Sequence, residues 1–196
     1  MKLGAFLLLP AALAASCPSS RGGGQETNPD AAYVTEFDSR VEQYVKLHRE
    51  LKAKLPPLPQ QTGAEAIAAH QDGLARALRE TRAGVKQGEI ITPRVAAVFR
   101  RILWPELKGP GSASAVKTVK EGNPELDPED KKKPIPMVVN SSYPKDAPLS
   151  TMPPSLLLKL PRLPDDVLEY RFVGRDLVVR DVVANVIVDY LLEAMP

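Results

Sequence analysis

Hydrophobic and polar positions change period twice along this 196-residue chain. Phe37, Val41, Tyr44, His48, Leu51 and Leu55 recur at steps of three and four, which predicts one buried stripe on an amphipathic helix. Asn28-Pro29 supplies a start signal, a cap residue before proline. Pro56-Pro57-Leu58-Pro59 ends the helix, because proline lacks an amide donor and restricts the residue before it. A second helix opens with Thr62-Gly63-Ala64-Glu65, which reads as a capping box. Ile67, His70, Leu74, Ala77 or Leu78, Thr81 and Val85 are expected on its buried face, with Gly84 and Gly88 closing it. Thr92-Pro93 starts a third, with Val95, Val98, Phe99, Ile102 and Leu103 as its stripe and Trp104 as a core anchor. Three such helices with short connections predict a helical hairpin plus third helix over residues 30–108.

The pattern then lapses. Residues 109–147 are rich in Pro, Gly, Ser and Lys and read as a linker, with a short helix at 113–120 and a strand at 136–139. From 148 to 196 the period becomes that of strands. One or two helical turns at 156–160 precede β-branched and aromatic runs at 168–173, 176–180 and 186–191. Gly174-Arg175 fits a two-residue type II′ hairpin with glycine first, and residues 181–185 offer the second turn. A short antiparallel meander of this size must pack on something else to be stable. The fold class is therefore α+β.

The N-terminus reads as an address. Lys2 precedes an unbroken apolar run over residues 3–15, then Ser16 and the only cysteine, Cys17. One positive charge, a short apolar stretch and small residues make a secretory signal peptide over 1–16. The run has 13 residues, short of the roughly 20 that span a bilayer. Cys17 follows Ala14-Ala15-Ser16, a pattern that resembles the lipobox of bacterial lipoproteins, with alanine where leucine is usual. That resemblance implies acylation of Cys17. Cleavage after Ala14, at Ala12-Leu13-Ala14, is the other reading. A single cysteine excludes an internal disulfide. Residues 17–29, rich in Gly and Ser, would serve as a flexible tether with a reach on the order of 20 Å. The expected location is the periplasm or the bacterial envelope, with membrane contact only through the lipid anchor.

Charge narrows the functions further. The chain has 26 Lys+Arg against 24 Asp+Glu, and removing Lys2 leaves 25 against 24. With few aromatic residues and no basic excess, nucleic acid is excluded as a partner. The run Lys131-Lys132-Lys133 follows Glu125, Asp127, Glu129 and Asp130, which marks a solvated segment rather than a phosphate patch.

Residues 160–189 carry a Leu-Pro pair, a Tyr-x-aliphatic-Val-Gly strand, a hairpin, and a strand ending in Ile-Val-Asp. This series resembles a module of exported bacterial proteins and, more loosely, the periplasmic nickel/cobalt-homeostasis (RcnB-like) proteins. The whole chain resembles an uncharacterised family of exported bacterial proteins with the same Pro-rich spacer and Gly-Glu-Ile-Ile-Thr-Pro turn. The resemblance implies a small β-meander and an envelope location, and it carries no metal ligands.

Candidate chemistry is sparse. His48 and His70 lie at equal distances from residue 59, so an antiparallel hairpin would bring both rings to one height as half of a transition-metal site. Glu50, Glu65 and Asp72 point elsewhere by helical spacing, and a metal site needs three or four ligands. No nucleophile elbow, zinc-protease helix, phosphate loop or dinucleotide fingerprint occurs, so no cofactor is expected. The leading expectation is a non-enzymatic envelope protein that binds or scaffolds an envelope protein partner. The alternatives are a metal-responsive or metal-buffering protein using His48 and His70, and a hydrolase with an unrecognised site.

Overall fold

A computed structural model describes residues 30–58, 63–123, 135–145 and 149–196. The signal segment, Cys17, the tether, Asn28-Pro29 and the Lys131-Lys132-Lys133 run lie outside the described residues. The elements run α1 Ala31–Ala53, α2 Ala64–Thr81, α3 Pro93–Lys108, α4 Ala113–Lys120, α5 Pro154–Leu157, β1 Leu168–Val173, β2 Asp176–Asp181 and β3 Val186–Leu191. The architecture is α+β, with a helical N-terminal part and a C-terminal antiparallel meander of order β1-β2-β3.

The stripe on α1 buries Phe37, Val41, Tyr44, His48 and Leu51 as expected, with Val45 beside them. On α3, Thr92 is the N-cap and its hydroxyl accepts from the Val95 amide, with Pro93 at the first helical position. The N-cap of α2 is Gly63, and Thr62, which the expected capping box would use, lies outside the described residues. The expected buried face of α2 fails. Its buried face is Leu74, Ala75 and Leu78, while Ile67 is 53% exposed. The second helix thus touches the core only through its C-terminal half. Trp104 is also on the surface, at 45% exposure, because the α3 stripe continues through Leu103 and Leu107 instead. One turn of helix separates that pair, and Trp104 falls outside the stripe they define.

The sheet joins this bundle through aromatic contacts. Phe37 of α1 meets Phe99 of α3 at 5.1 Å between ring centres, and Phe99 meets Tyr170 of β1 at 6.3 Å. Leu168, Tyr170, Phe172, Leu177 and Val179 face this shared core. On the other sheet face Val173, Val178 and Ile187 pack under Ile135 and Tyr143. Residues 136–139 are not a strand. They form a bend, after which Asn140 donates to the Ile187 carbonyl, Ile187 to Ser141, and Tyr143 to Asn185. The stretch read as linker therefore contributes α4, whose Val119 is fully buried, and a strap that covers the sheet's second face.

Gly174 opens the β1–β2 turn at φ +57° while Arg175 stays at negative φ, the pattern that a II′ hairpin requires. The β2–β3 register shifts between Val179 and Arg180: Val179 faces Asp189 and Arg180 faces Ile187. Val188 is left unpaired as a bulge.

Candidate functional site

Two aspartates lie fully buried within strands, Asp181 at the end of β2 and Asp189 in β3. A buried carboxylate is costly unless several donors meet it. Each has them. Asp181 Oδ2 accepts from the Tyr44 hydroxyl at 2.8 Å and from His48 Nδ1 at 2.6 Å, and its Oδ1 accepts from the amides of Val183 and Ala184. Asp189 accepts from the amides of Gly88, Ile90, Ile91 and Tyr190 at 2.8–3.0 Å. The Gly-Glu-Ile-Ile-Thr-Pro turn and the Ile-Val-Asp strand end are thus one structural unit: the strand carboxylate holds the turn's amides together. Gly88 sits at φ +92°, which glycine adopts without strain.

Arg82 completes this seam. It is 4% exposed, pairs with Glu89, donates to Asn140 Oδ1 at 2.7 Å and reaches the bulged Val188 carbonyl at 3.2 Å. Its guanidinium lies 4.9 Å from the centre of the Tyr44 ring. Burial first, then the neighbouring Asp181 carboxylate, pushes the Tyr44 phenol well above its ordinary range. It therefore remains a proton donor to Asp181 across the physiological range. A cavity of about 270 Å³ opens beside Arg40, Tyr44, Arg82 and Glu89. Both arginines already have carboxylate or carbonyl partners.

His48 Nδ1 faces a carboxylate, so it carries the proton and donates it. Nε2 is buried with no hydrogen-bond partner among the described residues. A His–Asp pair is half of a nucleophile-activating arrangement. His48 itself is 1% exposed and does not line the cavity beside Tyr44 and Arg82. His70 is half-buried on α2, and the donor nitrogen of His48 is committed to Asp181 rather than to it. Among the described residues no three His, Cys, Asp or Glu side chains gather as a metal site. Asp72 pairs instead with Lys145 at 3.5 Å.

At the opposite edge of the sheet lies a groove of about 760 Å³, within the range typical of ligand sites, lined by Met152, Leu157, Leu158, Leu163, Leu168 and Tyr170 among others. Leu157 is 49% exposed and Leu158 87%. Four charged side chains also line it: Arg162, Asp165, Glu169 and Arg171. Glu169 bonds both Arg171 and Arg180. Burial alone would raise its pKa, but those two guanidinium groups outweigh burial and hold the carboxyl below its ordinary range. The Tyr170 hydroxyl donates to the Pro161 carbonyl at 3.0 Å and ties β1 to the far wall.

The sequence pointed to His48 and Tyr44 as stripe positions but not to their shared acceptor. The available signal was Asp189 inside the apolar run 186–191 and Asp181 at the close of the run that begins at Asp176. The groove had a weaker signal: Leu156-Leu157-Leu158 places three leucines in succession, and a single helical turn buries only one face of such a run. No helix among the described residues is long and apolar enough to cross a membrane. Comparison with models of protein families, with curated proteins and with solved structures gave no match.

Proposed function

We propose that this chain is an exported cell-envelope protein that acts by binding rather than by catalysis, through the groove between α5 and β1. The observation that carries this reading is the pair Leu157 and Leu158. They stand exposed at the mouth of a 760 Å³ apolar groove, and such a contiguous apolar patch on a protein surface marks an interaction site. Export is supported by the charge, apolar run and small residues over 1–17, and an envelope location by the resemblance of residues 160–189 to exported bacterial modules. Acylated Cys17 would hold the folded part close to a membrane on the tether that follows it.

The polar seam argues against the two enzymatic or metal alternatives. A catalyst needs polar groups that are free and reachable. Here Asp181, Asp189 and Arg82 are occupied by intramolecular partners, and His48 is enclosed.

The test is affinity capture of the native protein from a membrane fraction, compared with Leu158→Glu and with Cys17→Ala. Wild type should bring down an envelope protein, and Leu158→Glu should lose it while retaining its fold. Cys17→Ala should move the protein to the soluble fraction or leave the leader uncut. An unchanged partner set with Leu158→Glu would remove the groove from the proposal. A soluble native protein beginning at Ala15 would remove the lipid anchor and leave export standing.

A further inference from the structure

β1 is an edge of the sheet. Along an antiparallel edge, alternate residues turn both backbone groups away from the neighbouring strand. The Val182 amide donates to the Val167 carbonyl, and the hairpin closes on Val173 and Asp176. The odd-numbered residues of β1 therefore bond β2, and Leu168, Tyr170 and Phe172, followed by Gly174, face outward.

Most of that edge is closed by the protein itself. The Asn123 side chain takes both backbone groups of Gly174, at 2.8 and 2.9 Å. The Ser150 hydroxyl takes both groups of Phe172, at 2.9 and 2.8 Å. The Pro164 carbonyl takes the Leu168 amide at 2.7 Å. Asn123 and Ser150 are fully buried, so they are permanent plugs. At Tyr170 neither the amide nor the carbonyl has a hydrogen-bond partner among the described residues. Tyr170 is where the apolar groove runs along the strand, with Glu169 and Arg171 on either side of it.

Resting on the binding reading above, we propose that the groove takes an extended, uncharged peptide segment of a partner protein, which adds to β1 as a short strand at Tyr170. A strand supplies one carbonyl and one amide at the required spacing, and its alternate side chains enter the apolar groove. Charge selects among occupants. The lining carries Arg162 and Arg171 against Asp165 and Glu169, and Arg171 and Glu169 pair with each other. A balanced lining has no net attraction for an anionic head group, whereas an uncharged segment brings no charge to desolvate. Because Ser150 and Asn123 close the next positions, backbone pairing is confined to one residue. Apolar side chains against Leu157, Leu158 and Met152 supply the rest of the affinity.

The probe is an acetylated, amidated heptapeptide of alternating valine and threonine, added to the full chain. Amide hydrogen exchange is followed at Tyr170 and at Arg171, whose amide faces β2. Binding should slow exchange at Tyr170 by about tenfold or more and leave Arg171 unchanged. An analogue N-methylated at alternate residues, and Leu158→Glu with the original peptide, should each bind at least about tenfold more weakly. Equal binding of the methylated analogue, or binding without protection of Tyr170, would overturn strand addition. Palmitate filling the groove in the peptide's place would make it an acyl site, and dimerisation that protects Tyr170 would make the occupant a second copy. Absence of saturable peptide binding up to about 1 mM would also overturn the inference. Loss of a captured partner with Leu158→Glu would still uphold the broader binding reading in that case.

Discussion

The β2–β3 half of the small sheet and its β1 edge are built on opposite principles. Along β2 and β3, where the sheet meets α1 and the 88–91 turn, the buried charges are matched: Asp181 to Tyr44 and His48, Asp189 to four amides, Arg82 to Glu89 and the Val188 carbonyl. Along β1 most side chains are buried as well, but an apolar groove runs beside the strand and the Tyr170 backbone has no hydrogen-bond partner among the described residues. The side with the familiar chemical groups is thus the structural one. Buried polar networks of this kind specify which elements meet, whereas an exposed apolar groove has no structural task of its own. The position of a histidine or an aspartate in a sequence says little about function until its partners are known.

Asp189→Ala should give the largest effect. It leaves four amides without an acceptor, three of them in the turn at 88–91. Each orphaned buried donor costs about 1–3 kcal/mol, so a loss of about 3 kcal/mol or more is expected in urea unfolding. A loss below about 1 kcal/mol would show that the turn stands without the aspartate.

Asp181→Ala follows, at about 2–4 kcal/mol, since it strips the acceptor from the Tyr44 hydroxyl and His48 Nδ1 together. His48→Gln should cost less than Asp181→Ala, because one partner rather than the shared acceptor is removed. Equal costs for the two variants would make His48, and not the carboxylate, the centre of the seam.

On the groove side the pH dependence of Glu169 sharpens the contrast. Its folded pKa lies below the ordinary glutamate range because Arg171 and Arg180 outweigh burial. A depressed carboxylate contributes stability above its unfolded pKa and loses it as pH falls through the folded value. Glu169→Gln should therefore be less stable than wild type at pH 7, and the gap should close in acid. A gap that is constant with pH would mean that lost packing, not charge, is responsible.

Leu158→Glu should produce the smallest change in stability, within about 0.5 kcal/mol, because the side chain is 87% exposed. Its effect belongs in binding. A destabilisation above about 1 kcal/mol would mean that Leu158 belongs to the core and not to an interaction surface.

Much of the fold was legible. Strands at 168–173 and 186–191, the Gly174 turn, the Thr92-Pro93 helix start and the short helix at 113–120 follow from local chemistry: β-branched runs, a glycine-first turn, a cap residue and a stripe of period 3.6. Ile67, Trp104 and the 136–139 bend were misread for one reason. Periodicity reports that a residue would suit a buried face, but not whether a neighbouring element reaches it. The N-terminal half of α2 projects past the core, and residues 135–143 pack as an irregular strap whose only regular pairing is one bridge between Ser142 and Val186.

The candidate sites divide in the same way. Residue types and spacing determined the α+β class, the near-neutral charge and the placing of His48 on a buried stripe, because these depend on groups within a few residues of one another. Only the tertiary structure decided that His48 meets Asp181, 133 positions away, and that Asp189 closes the turn at 88–91. It alone decided that Ser150 and Asn123 plug an edge strand and leave the Tyr170 backbone unpaired among the described residues. Those contacts join segments about 20–130 positions apart, and their energy appears only after the chain has closed the loops between them.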